Sequence, residues 1–149
     1  MRTIEVDLEA IASNYKKLKS LTDAKVMAIV KADAFGHGMI EVSKKLESIG
    51  VDMLATADLD EAKQIRAAGV KSEILAWLHG SETDFESAIK NNIQIGLSTV
   101  AGLEKVAQAA KKVSGTAKVH LKVDTGLGRN GAALSDWPEV VKKAVELRN

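Results

Sequence analysis

No cysteine occurs among the 149 residues, which excludes disulfides and thiolate metal sites. A reducing compartment is compatible with that lack, and the cytoplasm is the expected location. Proline occurs once and aromatic residues make up 3%. Both are too sparse for a proline-rich disordered linker or for a platform that stacks bases. Neither sign of charge dominates. Lysine plus arginine number 21 against 20 acidic residues, a net charge of +1. No basic field is therefore available to draw nucleic acid or an anionic membrane. No apolar run is long enough to cross a bilayer. The start, Met1-Arg2-Thr3-Ile4-Glu5-Val6, lacks the apolar core of a signal peptide.

What remains is 46% hydrophobic and 28% charged, a balance that can bury one sizeable core. Thr3–Val6 reads as a short strand. Asp7 is placed to cap a helix with Ile11, Tyr15 and Leu18 on one face. The apolar run Val26–Val30 reads as a buried strand, and a helix over 40–49 follows, stopped by Gly50. Met53–Ala57, Ile74–Leu78, Ile93–Leu97 and Lys118–Asp124 read as further strands. Between them, helices are signalled by Asp58 with Glu61, by Thr83 with Glu86, and by Leu103, Val106, Ala107 and Ala110 at helical spacing. Asp136-Trp137-Pro138-Glu139 opens a last helix. Strand and helix alternate about five times, which means a parallel α/β fold, either an open sheet or part of a (β/α)₈ barrel. A complete barrel needs about eight units and at least ~200 residues. The expectation is therefore an incomplete barrel, completed by further sequence or by another chain.

Two stretches carry chemistry. In Ala28-Ile29-Val30-Lys31-Ala32-Asp33-Ala34-Phe35-Gly36-His37-Gly38, Lys31 stands at the carboxyl end of a strand, the side where parallel α/β folds bind ligands. One reading is a charge that closes the strand and snorkels to water. The other is an amine desolvated enough to attack a carbonyl. In the second stretch, His120-Leu121-Lys122-Val123-Asp124-Thr125-Gly126-Leu127-Gly128-Arg129-Asn130-Gly131, alternation puts His120, Lys122 and Asp124 on one strand face. A lysine on an inward face is costly unless paired or modified, and Asp124 is the nearby candidate partner. The glycine-rich loop with Arg129 reads either as a solvated turn or as an anion-binding loop.

Together these stretches resemble the alanine racemases. The first is similar to that family's cofactor-lysine motif. The second contains the family's Lys-x-Asp-Thr-Gly-(Leu/Met)-Gly-Arg-x-Gly whole, from Lys122 to Gly131. The likeness runs from Ile4-Glu5-Val6-Asp7-Leu8 through the Arg129 loop, and makes residues 1–149 the N-terminal portion of a TIM-type (β/α)₈ barrel, without the later barrel units and the C-terminal β-domain. It implies a homo-oligomer, a dimer in the family, that interconverts L- and D-alanine for the bacterial cell wall, with no nucleic-acid or membrane partner. It implies pyridoxal 5′-phosphate as cofactor, held as a Schiff base on Lys31, which is also one of two catalytic bases. Arg129 would orient the cofactor and the substrate carboxylate. Lys122 matches the lysine that some members carry carbamylated, and a carbamate would turn a buried cation into an anion beside Arg129.

Two departures matter. Phe35 stands where the family has a tyrosine whose hydroxyl contacts the cofactor phosphate; losing that bond should cost on the order of 1 kcal/mol. The family's second base is a tyrosine of the partner's C-terminal domain, whereas the one tyrosine here, Tyr15, sits in the first helix. The isolated chain could thus be a non-catalytic cofactor-binding module or a structural half-barrel. His37 and His79 read as turn and loop residues, and with His120 they show no metal-ligand spacing. Trp77 reads as core or barrel-mouth packing. Neither a dinucleotide fingerprint nor a Walker loop is present.

Overall fold

The structure, a computed structural model, describes residues 2–148. The chain divides into two compact units, residues 1–75 and 76–149. Its five strands follow one another in the sheet in chain order, and the observed pairings are parallel. The α/β class expected from the alternation is therefore found, with five strands among the described residues against the eight of a complete barrel.

In the first unit, Asp7 accepts from the backbone N–H of Glu9 and Ala10 and so starts helix α1, Leu8–Lys19. Ala12 and Tyr15 form its buried stripe, and the Tyr15 hydroxyl donates to the Gly50 carbonyl at 3.5 Å. Leu18, expected on that face, is exposed. Strand β1 is Met27–Ile29, followed by the short α2, Lys31–Gly36, and by α3, Met39–Ser48. Val42 and Leu46 of α3 are buried, and Gly50 takes φ +80° where the chain turns out of the helix. Strand β2, Met53–Thr56, lies against β1 with Met27 opposite Met53 and Ile29 opposite Ala55. Helix α4, Leu59–Ala67, is capped by Asp58 on the Glu61 N–H. Leu54, Ile65, Val70 and Ile74 are fully buried together with Val30.

Two expectations fail in this unit. Residues 3–6 form no strand, because they have no neighbouring strand to complete their hydrogen bonds. The run Val26–Val30 is not buried throughout. It holds only a three-residue strand, in which Met27 and Ile29 are exposed while Val30 closes the core. As the first strand of the order, β1 has its one neighbour in β2.

β3, Ile74–Ala76, crosses from one unit to the next. In the second unit, α5 spans Phe85–Lys90 and its cap is Asp84, which accepts from the Ser87 N–H, not the expected Thr83. A carboxylate one residue closer to the helix takes the capping site. β4, Ile93–Leu97, is buried at every position, as expected for a strand covered on both faces. Helix α6, Val100–Lys112, is capped by Thr99 and buries Leu103, Val106 and Ala109 against α5 and α7. β5 spans only Val119–Leu121 of the expected Lys118–Asp124, with one isolated bridge beyond it between Val123 and Ala132. The last helix, α7, runs Trp137–Glu146 with its proline in the first turn.

Candidate functional site

The candidate residues lie on the carboxyl side of strands in each unit, so each half is built separately. In the first, the chain leaves β1 through Val30 and Lys31 and then turns left-handed. Ala32, Asp33, Ala34 and Phe35 have φ of 52, 53, 50 and 54° with ψ between 37 and 51°. None is glycine, and each L-residue in this region costs about 1–2 kcal/mol. Such a segment persists only where its surroundings over-determine it.

Here they do. The Ala34 N–H donates to the Val30 carbonyl at 3.0 Å and the Gly38 N–H to the Asp33 carbonyl at 3.2 Å. The Asp33 carboxylate accepts from the Met39 N–H at 2.8 Å, at the first residue of α3. Gly36 and Gly38, both at φ +85°, let the chain return to a right-handed helix. The Glu61 carboxylate, reaching over from α4, accepts from the Ala32 N–H at 2.5 Å and from the Ala57 N–H at 2.9 Å. Lys31 is thus half-buried at the head of a braced turn, with its amine 5.0 Å from the centroid of the exposed Phe35 ring. An ammonium at that distance is attracted to the ring face. His37 is exposed, as expected, with Nδ1 2.7 Å from the Ala34 carbonyl.

In the second unit, β4 and β5 pair with Gly96 opposite His120 and Leu97 opposite Leu121. His120 Nε2 lies 2.5 Å from Oε1 of Gln94, a buried amide. Lys122 Nζ donates to the Trp77 carbonyl at 3.3 Å. Burial, first, and the charge of Arg129, second, hold the Lys122 ammonium below its ordinary pKa. The expected Lys122–Asp124 pair does not form. The Asp124 carboxylate instead turns onto its own loop and accepts from the N–H groups of Gly126 at 2.9 Å and Gly128 at 3.1 Å. Those bonds keep Asp124 below the usual carboxylate range. A short side chain at the head of a turn reaches its own backbone more readily than a neighbour's ammonium.

The loop is closed at its base. The Asp124 N–H donates to the Ala132 carbonyl and the Ala132 N–H to the Lys122 carbonyl, both at 2.8 Å. Gly131 stands where a Cβ would fall 2.5 Å from the Asp124 nitrogen. Arg129 is exposed on this loop. Beside it, a cleft of about 550 Å³, lined by Trp77, His79, Thr99, Lys105 and Asn130 among others, opens at the carboxyl ends of β3 and β4. That volume suits a small ligand. Trp77 packs its Cβ and Cα on Gly96, whose missing side chain makes the approach possible. His79 stands edge-on to Phe85.

Lys31 and Phe35 are thus brought together in one half, and Lys122 and Arg129 in the other. Sequence reasoning missed the reach of Glu61 and the pairing of Gln94 with His120. Glu61 carries a signal in its spacing from Asp58, but that spacing points to a capping box and not to the N–H groups of Ala32 and Ala57. Among the described residues, no three His, Cys, Asp or Glu side chains gather as a metal site, and no helix is long and apolar enough to cross a membrane.

A parallel β/α chain with a lysine at the end of one strand and a glycine-rich loop after another has the class of an open part of a (β/α)₈ fold. The profile of the family "Alanine racemase, N-terminal domain" matches residues 6–149, and the chain belongs to that family. The alanine racemase of Salinispora tropica is 38% identical over 143 residues, 96% of this chain and 38% of its own length. Among solved structures, the alanine racemase of D-cycloserine-producing Streptomyces lavendulae superposes with a TM-score of 0.94 at 36% identity, covering 96% of this chain and 38% of that one. A histidine racemase from Leuconostoc mesenteroides gives 0.82 at 30% identity, covering 96% and 39%. The chain therefore spans under two-fifths of the length of these relatives.

Proposed function

We propose that this chain supplies the N-terminal barrel part of a pyridoxal-phosphate-dependent alanine racemase, an isomerase that provides D-alanine for peptidoglycan in the cytoplasm. The observation that carries this reading is the placement of Lys31, an amine at a strand's carboxyl end on a turn fixed against its own backbone preference. The residues present fit the cofactor. Lys31 offers a primary amine for its aldehyde, Phe35 an exposed ring beside that amine, and Arg129 an exposed guanidinium for an anionic group. When bound, the cofactor supplies an electron sink that acidifies the substrate's Cα–H. Lys31 Nζ holds the cofactor and, when free, accepts or returns that proton on one face. Arg129 orients the substrate carboxylate. Lys122, desolvated and repelled by Arg129, is suited to carbamylation, which would replace the repulsion by attraction. The active assembly is a homodimer, with the second base on the partner. Alanine is the substrate that the relatives favour, while the histidine racemase on the same fold shows that the fold does not fix that choice.

A second reading has its own observation. Tyr15 is buried on α1 with its hydroxyl at the Gly50 carbonyl, so this chain's one tyrosine serves packing. The chain by itself would then bind cofactor without racemising, or act as a half-barrel alone. The deciding experiment adds pyridoxal phosphate, reduces with borohydride and maps the label by mass spectrometry. Label confined to Lys31 supports the proposal. Label absent, or spread over surface lysines, overturns it. An assay of L-to-D conversion then separates racemase from binding module.

A further inference from the structure

The residue that gives Lys31 its address is not near it in sequence. Four consecutive non-glycine residues after Lys31 are left-handed, and the first backbone N–H of that run, Ala32's, is held by the Glu61 carboxylate at 2.5 Å. The other oxygen of the same carboxylate holds the Ala57 N–H just beyond β2 at 2.9 Å. Glu61 itself is fixed, since its own N–H donates to the Asp58 cap of α4 at 2.9 Å. One side chain thus joins the exits of two neighbouring strands and the start of a helix. Both partners are donors, so only an acceptor on each oxygen satisfies the two at once. Glutamine at this position would present an NH₂ to one of them. The second carboxylate of the turn, Asp33, braces its far end on α3 and has no part in the strand exits.

We propose that Glu61 is a positioning residue for Lys31: by clamping Ala32 to the end of β2, it fixes where the Lys31 amine emerges. This deepens the reading of Lys31 as the cofactor lysine and rests on it for its use, though the clamp itself is independent of any cofactor.

The test compares the wild-type chain, Glu61→Gln and Asp7→Ala. The last removes the cap of α1 and destabilises the same unit without touching the Lys31 turn. Two quantities are read: amide hydrogen exchange at Ala32 and Ala57, and borohydride-fixed pyridoxal phosphate on Lys31 relative to surface lysines of the same digest. In Glu61→Gln, exchange at Ala32 or Ala57 should rise about tenfold, the loss of one good hydrogen bond, and the Lys31 share of the label should fall several-fold. Asp7→Ala should leave that share unchanged. Unaltered exchange in Glu61→Gln overturns the clamp. Faster exchange with an undiminished Lys31 share overturns the positioning role, as does an equal fall of that share in Asp7→Ala. If the wild type shows no preference for Lys31 while exchange still rises, the clamp stands and the cofactor reading of Lys31 falls.

Discussion

The turn after Lys31 and the loop after Lys122 solve one problem by opposite means. Each reverses the chain at the end of a strand and leaves a cationic side chain in a set place. The Lys31 turn does it with alanine, aspartate and phenylalanine held left-handed, and to the bonds it makes within itself it adds a restraint from Glu61, 29 residues from Ala32. The Lys122 loop does it with Gly126, Gly128 and Gly131 at positive φ, and its restraint comes from within, through Asp124 and the paired backbone of residues 122–132. The contrast teaches that a left-handed run of non-glycine residues gains a brace from outside its own turn, whereas the glycine loop is held by its own backbone and Asp124.

Adding a Cβ to the self-held loop should do the most damage. Gly131→Ala puts that carbon 2.5 Å from the Asp124 nitrogen and 2.7 Å from the Val123 carbonyl carbon, backbone atoms that cannot step aside. A loss of about 3 kcal/mol or more in urea unfolding is expected. An unchanged midpoint would mean the loop is not closed as described.

Acid should come next. Asp124 is depressed in the folded chain by the Gly126 and Gly128 N–H groups. Below about pH 4 the unfolded chain therefore binds more protons at this residue than the folded one, so its contribution to stability is present above that pH and is lost on acidification. Asp124→Asn should be less stable than wild type at neutral pH, and the gap should close as unfolding is measured at successively lower pH. A gap independent of pH would show that the carboxylate charge does not hold the loop.

Removing a Cβ from the externally held turn should have the opposite sign and the smallest size. Ala34→Gly relieves a left-handed alanine but loosens the unfolded chain, leaving a net gain of about 0.5 kcal/mol by thermal unfolding. A loss of stability would mean the turn is not strained at that residue.

This comparison also marks how far the residues could be read in advance. The strand–helix alternation was legible because its signals are local: apolar runs for β2, β3 and β4, and capping side chains at Asp7 and Asp58. Lys31 just past β1 and Arg129 on the loop after β5 were legible from strand end and glycine content, while Lys122, expected within the strand, lies beyond it. The left-handed run was not legible, since Ala-Asp-Ala-Phe carries no sign of positive φ and takes it only under tertiary restraint. Glu61 was visible but misread, because a capping spacing does not say which N–H the carboxylate will choose. Asp124 was misassigned to Lys122 by strand alternation, which ends where the loop begins. The strand expected over residues 3–6 rested on composition, and composition cannot supply the neighbour that a strand needs.

The packing of the aromatic residues carries a practical consequence. Tyr15 lies in the first unit, while both tryptophans, Trp77 and Trp137, lie in the second. Indole fluorescence therefore watches the second unit, where the Trp77 carbonyl accepts from Lys122, whereas the single phenol reports on α1 and its contact with Gly50 in the first. The chain carries its own pair of optical labels, one in each unit.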